Sequence, residues 1–311
     1  NLKPRKIMRL NVQNETAQLQ TVVLGRAESN GADPTIDQTF DAKSYDSVKH
    51  NDYPKEEDLI AEMSEFEQVL KKYNVEVLRP TLIENCNQVF SRDVGFVIED
   101  QFFVSNIIPD RLEELQAYRE IKKLFKGNKI NTLPEEVYVE GGDVILYNDY
   151  IFVGTYKQAD FKQFKTGRTN VEFVEYIKAK FPNKKVLDFE LKKNDENPYE
   201  GILHLDCTFN PVGKDKAIIY KDGFLFEHEY QQIVDIFGKE NLFEVTKEEM
   251  YWMNPNVFSI SPEVVVSEKN FTRLNDHLEN VWNIKVERIN YREISKMGGL
   301  LRCSTMPLIR K

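Results

Sequence analysis

One recurring pattern constrains this chain most. Two short apolar runs separated by a turn are followed by an amphipathic stretch and then by another apolar run. Residues 94–98 and 102–104 flank Glu-Asp-Gln, and 144–147 and 150–153 flank Asn148-Asp149, a two-residue hairpin signal. Residues 217–220 pair with the run at 203–209, and 257–260 and 264–266 flank Ser-Pro-Glu. Amphipathic helices are expected at 56–73 and near 111–125, 170–181, 228–237 and 271–281. In the first of these Leu59, Met63, Phe66, Leu70 and Tyr73 fall on one helical face. Each helix leads into a predicted strand, at 75–78, 129–133, 185–187, 242–245 and 284–286. A fifth hairpin is missing until the chain ends are joined, when 303–309 and 21–24 supply it.

The first strands begin near residues 94, 144, 204, 257 and 303, so the steps are 50, 60, 53 and 46 residues. A weak period of this size is the mark of a repeat architecture. Each repeat would be hairpin, helix and strand, in a ring closed by pairing the two ends of the chain, as in propellers. Periodicity alone leaves an ordinary α/β or α+β domain equally open. No linker-like segment divides the chain, so residues 1–311 read as a single domain, with 1–7, ahead of Met8, as an extension. Residues 28–53 are polar and lack either period, and are expected to form either a lid loop over a site or a surface excursion.

Lys+Arg 42 against Asp+Glu 51 leaves a net charge of −9, which disfavours nucleic acid and anionic membranes as partners. Three cysteines without a CxxC pair argue against a disulfide scaffold or a zinc site, and favour a reducing, cytoplasmic setting. No apolar run approaches membrane-spanning length.

Polar residues gather where the first strands begin. Arg92-Asp93 precede Val94, Glu140-Gly-Gly-Asp143 precede Val144, His204-Leu-Asp206 open the third unit, and Cys303 opens the last after Gly298-Gly299. A ring would bring Asp93, Glu140, His204, Asp206 and Cys303 into one pocket. A thiol and a histidine are the minimum for nucleophilic catalysis, because the thiolate is the reactive form. Three carboxylates oppose that anion unless a cation sits among them. A guanidinium fits: it is permanently charged, its N–H fork matches carboxylates, and its carbon is electrophilic.

These motifs resemble the guanidine-modifying superfamily of arginine deiminases, dimethylarginine dimethylaminohydrolases and amidinotransferases. The likeness rests on Asn87-x-x-Phe90-x-Arg92-Asp93, Glu140-Gly-Gly-Asp143, His204-Leu-Asp206 and Gly298-Gly299-Leu-Leu-Arg302-Cys303-x-x-Met306-Pro307. It implies a five-bladed α/β propeller (pentein) with pseudo-fivefold ββαβ repeats. It also implies Cys303 as nucleophile, His204 as general acid and base, and Glu140 as the group that orients and charges the histidine. Asp93 and Asp206 would hold the guanidinium, Asn87 and Phe90 would line the pocket, and Arg111 and Arg168 would meet a substrate carboxylate. The motif details are closest to deiminases. The expected activity is hydrolysis of an arginine-like guanidino small molecule to a ureido product such as citrulline, with no cofactor and no metal.

Amidino transfer to an acceptor amine is the alternative reaction. A non-catalytic guanidine-binding or structural propeller is the alternative of another class. Substrate identity and homo-oligomeric state stay open. Arg92 is expected to pair with a carboxylate, and Asp143 to stabilise its turn. Cys86 and Cys207 are expected to be inert, with Cys207 turned away from the pocket by strand alternation.

Overall fold

The computed structural model describes residues 6–311, so residues 1–5 of the expected extension lie outside the described residues. Five three-stranded sheets share one plan, in which an antiparallel hairpin is followed by a third strand added parallel to the second. In the first sheet β1 (Leu19–Leu24) pairs in parallel with β2 (Glu76–Leu78). The other sheets are β3 (Gly95–Ile98), β4 (Gln101–Val104) and β5 (Ile130–Thr132); β6 (Val144–Tyr147), β7 (Tyr150–Thr155) and β8 (Lys185–Glu190); β9 (Phe209–Val212), β10 (Lys216–Ile219) and β11 (Leu242–Glu244); and β12 (Phe258–Ser261), β13 (Val264–Glu268) and β14 (Lys285–Ile289). The last strand, β15 (Thr305–Arg310), returns to pair antiparallel with β1, with Leu24 opposite Thr305. The N- and C-terminal segments thus share a sheet, as the sequence pattern requires.

Parallel pairing needs a crossover, and helices supply it. The first crossover holds α1 (Ala42–Lys49) and α2 (Glu56–Lys72). Later ones hold α3 (Arg119–Lys122), α4 (Val171–Lys180), α5 (Glu227–Phe237) and α7 (Thr272–Asn280), with short α6 (Lys247–Tyr251) and α8 (Arg292–Ser295) leading towards β12 and β15. Helix α2 buries Leu59, Met63, Phe66 and Leu70, and carries three acids in its first turn and two lysines in its last, matching the helix dipole. Phe66 sits edge-on to Phe258 and Tyr291, with ring centroids 5.9 and 5.5 Å away, and so joins the first sheet's helix to the last sheet. Truncating such a buried ring costs about 3–5 kcal/mol.

Three expectations are corrected. The helix near 111–125 is mostly 3-10, over Pro109–Tyr118, before the short α3. A 3-10 helix eclipses residues i and i+3, which aligns buried Arg111, Glu114 and Ala117 on one side. The first strand of the third unit begins at Phe209, and residues 205–207 form a 3-10 turn. Pro211 lies in that strand, which pairs on one side only, where a missing N–H is tolerated. Residues 28–53 are not structureless: they form a 3-10 turn at Ile36–Gln38 and then α1, capped by Asp41, which accepts from Ser44 N. Helix α1 escapes a hydrophobic pattern because it docks by polar groups. Lys43 Nζ, Ser44 Oγ and Ser47 Oγ donate to the carbonyls of Tyr251, Met297 and Lys296.

Candidate active site

Four of the first strands are preceded by a short 3-10 turn: Ser91–Asp93, Gly141–Asp143, Leu205–Cys207 and Asn254–Asn256. A further turn at 301–304 precedes β15. Hydrogen bonds lead from turn to turn and back to the first. Arg92 N donates to Cys303 O, Cys303 N to Asn256 Oδ1, Asn256 Nδ2 to Asp206 O, Leu205 N to Asp143 Oδ1 and Gly142 N to Asp93 Oδ1, at 2.9–3.2 Å. The polar residues at the strand starts therefore converge. Asp93, Glu140, His204, Asp206 and Cys303 are all buried there, His204 and Glu140 completely.

On one side stands the imidazole. His204 Nε2 is 2.8 Å from Glu140 Oε1, and Nδ1 lies 3.7 Å from Asp93 Oδ1 and has no hydrogen-bond partner among the described residues. A Cβ at Gly142 would sit 2.8–2.9 Å from the His204 side chain, so only glycine lets the ring pack there. Glu140 also meets Arg168 Nη1 at 2.6 Å, and Asp93 meets Arg111 Nη1 at 2.8 Å. Burial disfavours charge on His204, but Asp93, Glu140 and Asp143 override it and lift its pKa to about 9. Glu140 is held well below the usual carboxylate range. Burial opposes this, and Arg168 and His204 outweigh it.

On the other side stands the sulfur. Cys303 Sγ is 3.7 and 3.9 Å from the two Asp206 oxygens, and Asp206 is gripped by Arg302 Nη1 at 2.9 Å. Arg302 is itself paired with Glu15, at 3.1 Å. Burial raises the Cys303 pKa; a hydrogen bond from Cys207 pulls it back, while Asp206 and Asp93 push it further up. The thiol therefore holds its proton in the unliganded site.

A pocket of about 780 Å³ opens over Cys303 and Asp93, with Phe90, Asn87, Arg111 and Arg168 also in its wall. The segment at 28–53 supplies the facing wall through Asn30, Phe40, Asp41 and Tyr53. A second cavity of about 420 Å³, lined by Lys43, Cys207 and Tyr251, shares Asp41, Leu203 and Gly298 with the first.

All nine residues singled out for the site meet at this pocket or directly beneath it, but several have unexpected partners. The Arg111 fork is occupied by Asp93, Glu114 and Phe90 O, and that of Arg168 by Glu140, Phe40 O and Lys165 O. Arg92 forms no ion pair among the described residues; it donates to Arg302 O and Thr305 Oγ1. Asp143 accepts from Thr169 Oγ1 and Leu205 N, and so fixes the histidine's turn. Cys207 is not turned away. It sits in a 3-10 turn rather than a strand, and its sulfur lies within 4.8 Å of Cys303 Sγ and of Asp206.

Asn256 and Glu15 escaped the sequence reading, and Glu114, whose Glu113-Glu114 run suits a solvated face, is instead buried against Arg111. Asn256 occupies the start of a first strand, the same place in its unit as Asp93, which is a usable signal. Glu15 carries no pattern.

Two triplets of donor atoms are tight enough for a metal ion, Asp93–Glu140–His204 and Asp206–Cys207–Cys303. Their carboxylates already receive Arg111, Arg168 and Arg302.

Among the described residues no helix is long and apolar enough to cross a membrane. Residues 35–310 match the family described as "N,N dimethylarginine dimethylhydrolase, eukaryotic". The uncharacterized protein YkgA of Bacillus subtilis (strain 168) is 31% identical over 246 residues, covering 78% of this chain and 77% of that one. Among solved structures, SxtG, an amidinotransferase from the Microseira wollei saxitoxin pathway, aligns with TM-score 0.73 at 19% identity, over 97% of each chain. The product-bound N-terminal domain of ArgZ, an arginine dihydrolase of the cyanobacterial ornithine–ammonia cycle, aligns with TM-score 0.76 at 16% identity, over 94% of this chain and 98% of that one. With five like sheets whose strand starts converge on a thiol, an imidazole and three carboxylates, the chain belongs to the N,N-dimethylarginine dimethylhydrolase family of the guanidine-modifying superfamily.

Proposed function

We propose that this chain is a single-domain, five-bladed α/β propeller that hydrolyses an arginine-like guanidino compound through a covalent intermediate on Cys303. The cycle of hydrogen bonds through all five turns supports the closed ring. One observation carries the catalytic reading. A thiol that keeps its proton lies in the wall of one pocket with Asp206 3.7 Å from its sulfur, and Asp93, in the same wall, lies 3.7 Å from a buried imidazole held as a cation. Asp93 and Asp206 would bind the guanidinium nitrogens. The bound cation stabilises the adjacent sulfur anion, and the Cys303 proton leaves to solvent.

The sulfur then bonds to the guanidinium carbon. Protonated His204 delivers its proton to the departing amine, whose C–N bond breaks, leaving an amidino-thioether and neutral imidazole. His204 next takes a proton from water as the oxygen bonds to the same carbon. The C–S bond breaks, the remaining hydroxyl proton passes to solvent as the C=O forms, the ureido product leaves and Cys303 returns as an anion. The unpartnered Nδ1 is the atom that exchanges these protons, while Nε2 stays on Glu140. The pocket and its cover at 28–53 fit a small-molecule substrate.

A second reading is amidino transfer, the reaction of the structurally similar SxtG. A product screen separates the two. Arginine, dimethylarginines, agmatine and guanidinoacetate are each incubated with and without glycine or ornithine, and products identified by mass spectrometry. A ureido product without acceptor is expected. Turnover that requires the acceptor overturns hydrolysis in favour of transfer.

A further inference from the structure

Cys207 is the one nucleophilic group near the reacting sulfur that the mechanism above leaves idle. Its sulfur lies within 4.8 Å of Cys303 Sγ, close enough for its S–H to turn towards that sulfur. Both are aimed at one carboxylate, with Cys207 Sγ 3.6 Å from Asp206 Oδ1 and Cys303 Sγ 3.7 Å from Oδ2. The pair forms the partition between the two cavities, since Cys207 lines the smaller and Cys303 the larger. The charged and titratable groups facing these sulfurs are Asp206, Asp93, Lys193 and Tyr291. The carboxylates work against a sulfur anion. The Lys193 ammonium is directed to the carbonyls of Ile202 and Leu203. The backbone N–H of Cys303 is taken by Asn256.

We propose that the Cys207 S–H is the side-chain donor that holds the Cys303 sulfur as an anion during attack on the guanidinium carbon. The inference rests on Cys303 being the nucleophile. Asp206 is already engaged by Arg302, so the Cys207 hydrogen is free to point at sulfur rather than at carboxylate. The two thiols are also pushed apart in acidity. Cys207 is driven far above the ordinary range, first by its hydrogen bond to Cys303 and then by burial, whereas the same bond lowers Cys303. Both shifts favour Cys207 as the donor and Cys303 as the acceptor, the division of labour expected when two coupled groups take different roles.

The test is the rate of iodoacetamide alkylation of Cys303 across about pH 6 to 11, mapped to its peptide, in the full chain carrying Cys86→Ser. Cys207→Ala and Cys207→Val both remove the donor, and Val refills the space; Cys207→Ser keeps a donor. Loss of a hydrogen bond to an anion predicts that both donor-less variants shift the alkylation midpoint up by roughly one unit, with kcat/KM near neutral pH down about tenfold. Serine is expected to restore most of both. An unchanged midpoint in the Ala and Val variants, or a Ser variant as impaired as they are, overturns the donor role. Cys303→Ser is assayed beside them. Activity retained in that variant breaks the nucleophile reading itself, whereas an inactive Cys303→Ser with an unshifted midpoint breaks only the role of Cys207.

Discussion

On the imidazole side of the pocket two arginines, Arg168 and Arg111, answer Glu140 and Asp93, and His204 is held as a cation. On the sulfur side a single arginine, Arg302, is shared by Asp206 and Glu15, and Cys303 keeps its proton. The same residue types thus prepare opposite states: a charged imidazole on one side and a neutral thiol on the other. In the proposed mechanism the acid is ready before substrate arrives, and the nucleophile waits for the positive charge that a guanidino substrate carries. That asymmetry would restrict ionisation of the thiol to the complex in which it is useful.

Removing the sulfur is expected to have the largest effect. Cys303→Ser should lower kcat by more than about 10⁴-fold, as when a nucleophile is deleted from a concerted set. A guanidino ligand should still bind in calorimetry, because Asp93 and Asp206 remain. Loss of binding together with activity would mean that the two sides are not separable.

Glu140→Gln comes next and strikes the imidazole side. It removes a carboxylate that favours charged His204, so the imidazole pKa, read by NMR, should fall from about 9 towards the ordinary histidine value. The kcat should drop roughly 10²- to 10⁴-fold with the loss of a well-matched general acid. A pKa that stays high would place the source of the charge on Asp93 instead.

The same shift makes a stability statement. A histidine whose folded pKa is raised contributes stability that is fully present below its unfolded pKa and is lost as pH rises through the folded one. Urea unfolding of wild type and His204→Gln should therefore differ most near pH 6, and the difference should shrink through about pH 9. A gap that widens with pH would contradict the charged imidazole.

Glu15→Gln reaches the sulfur side at one remove. Arg302 would lose its partner and bear on Asp206 alone, so KM is expected to rise several-fold while kcat changes little. Breaking a buried pair of this kind costs about 3–5 kcal/mol of stability. A kcat defect without a KM change would show that Asp206 is not set by Arg302. The smallest effect is expected at the cover, where Ser47→Ala removes one bond from α1 to Lys296 O, worth about 1 kcal/mol.

The repeat and the five central residues were readable because each first strand begins with a polar residue ahead of an apolar run, and like units place like positions together. The polar partners were not readable in the same way. Glu15 and Glu114 reach the site through Arg302 and Arg111, and ion pairs between distant segments leave no periodicity. Helix α1 was missed because its buried face is Ala42, Lys43, Ser44 and Ser47, docked by hydrogen bonds rather than apolar area. Cys207 was misplaced because alternation along a strand was applied to a 3-10 turn, where successive side chains do not alternate.

The most direct test of the account is to quench the enzyme during turnover of its best guanidino substrate, digest it and locate any amidino adduct by mass spectrometry. The account predicts an amidino-thioether on the Cys303 peptide that disappears when substrate is exhausted and never forms in Cys303→Ser. Turnover with no adduct at Cys303, or an adduct that persists in Cys303→Ser, would contradict it.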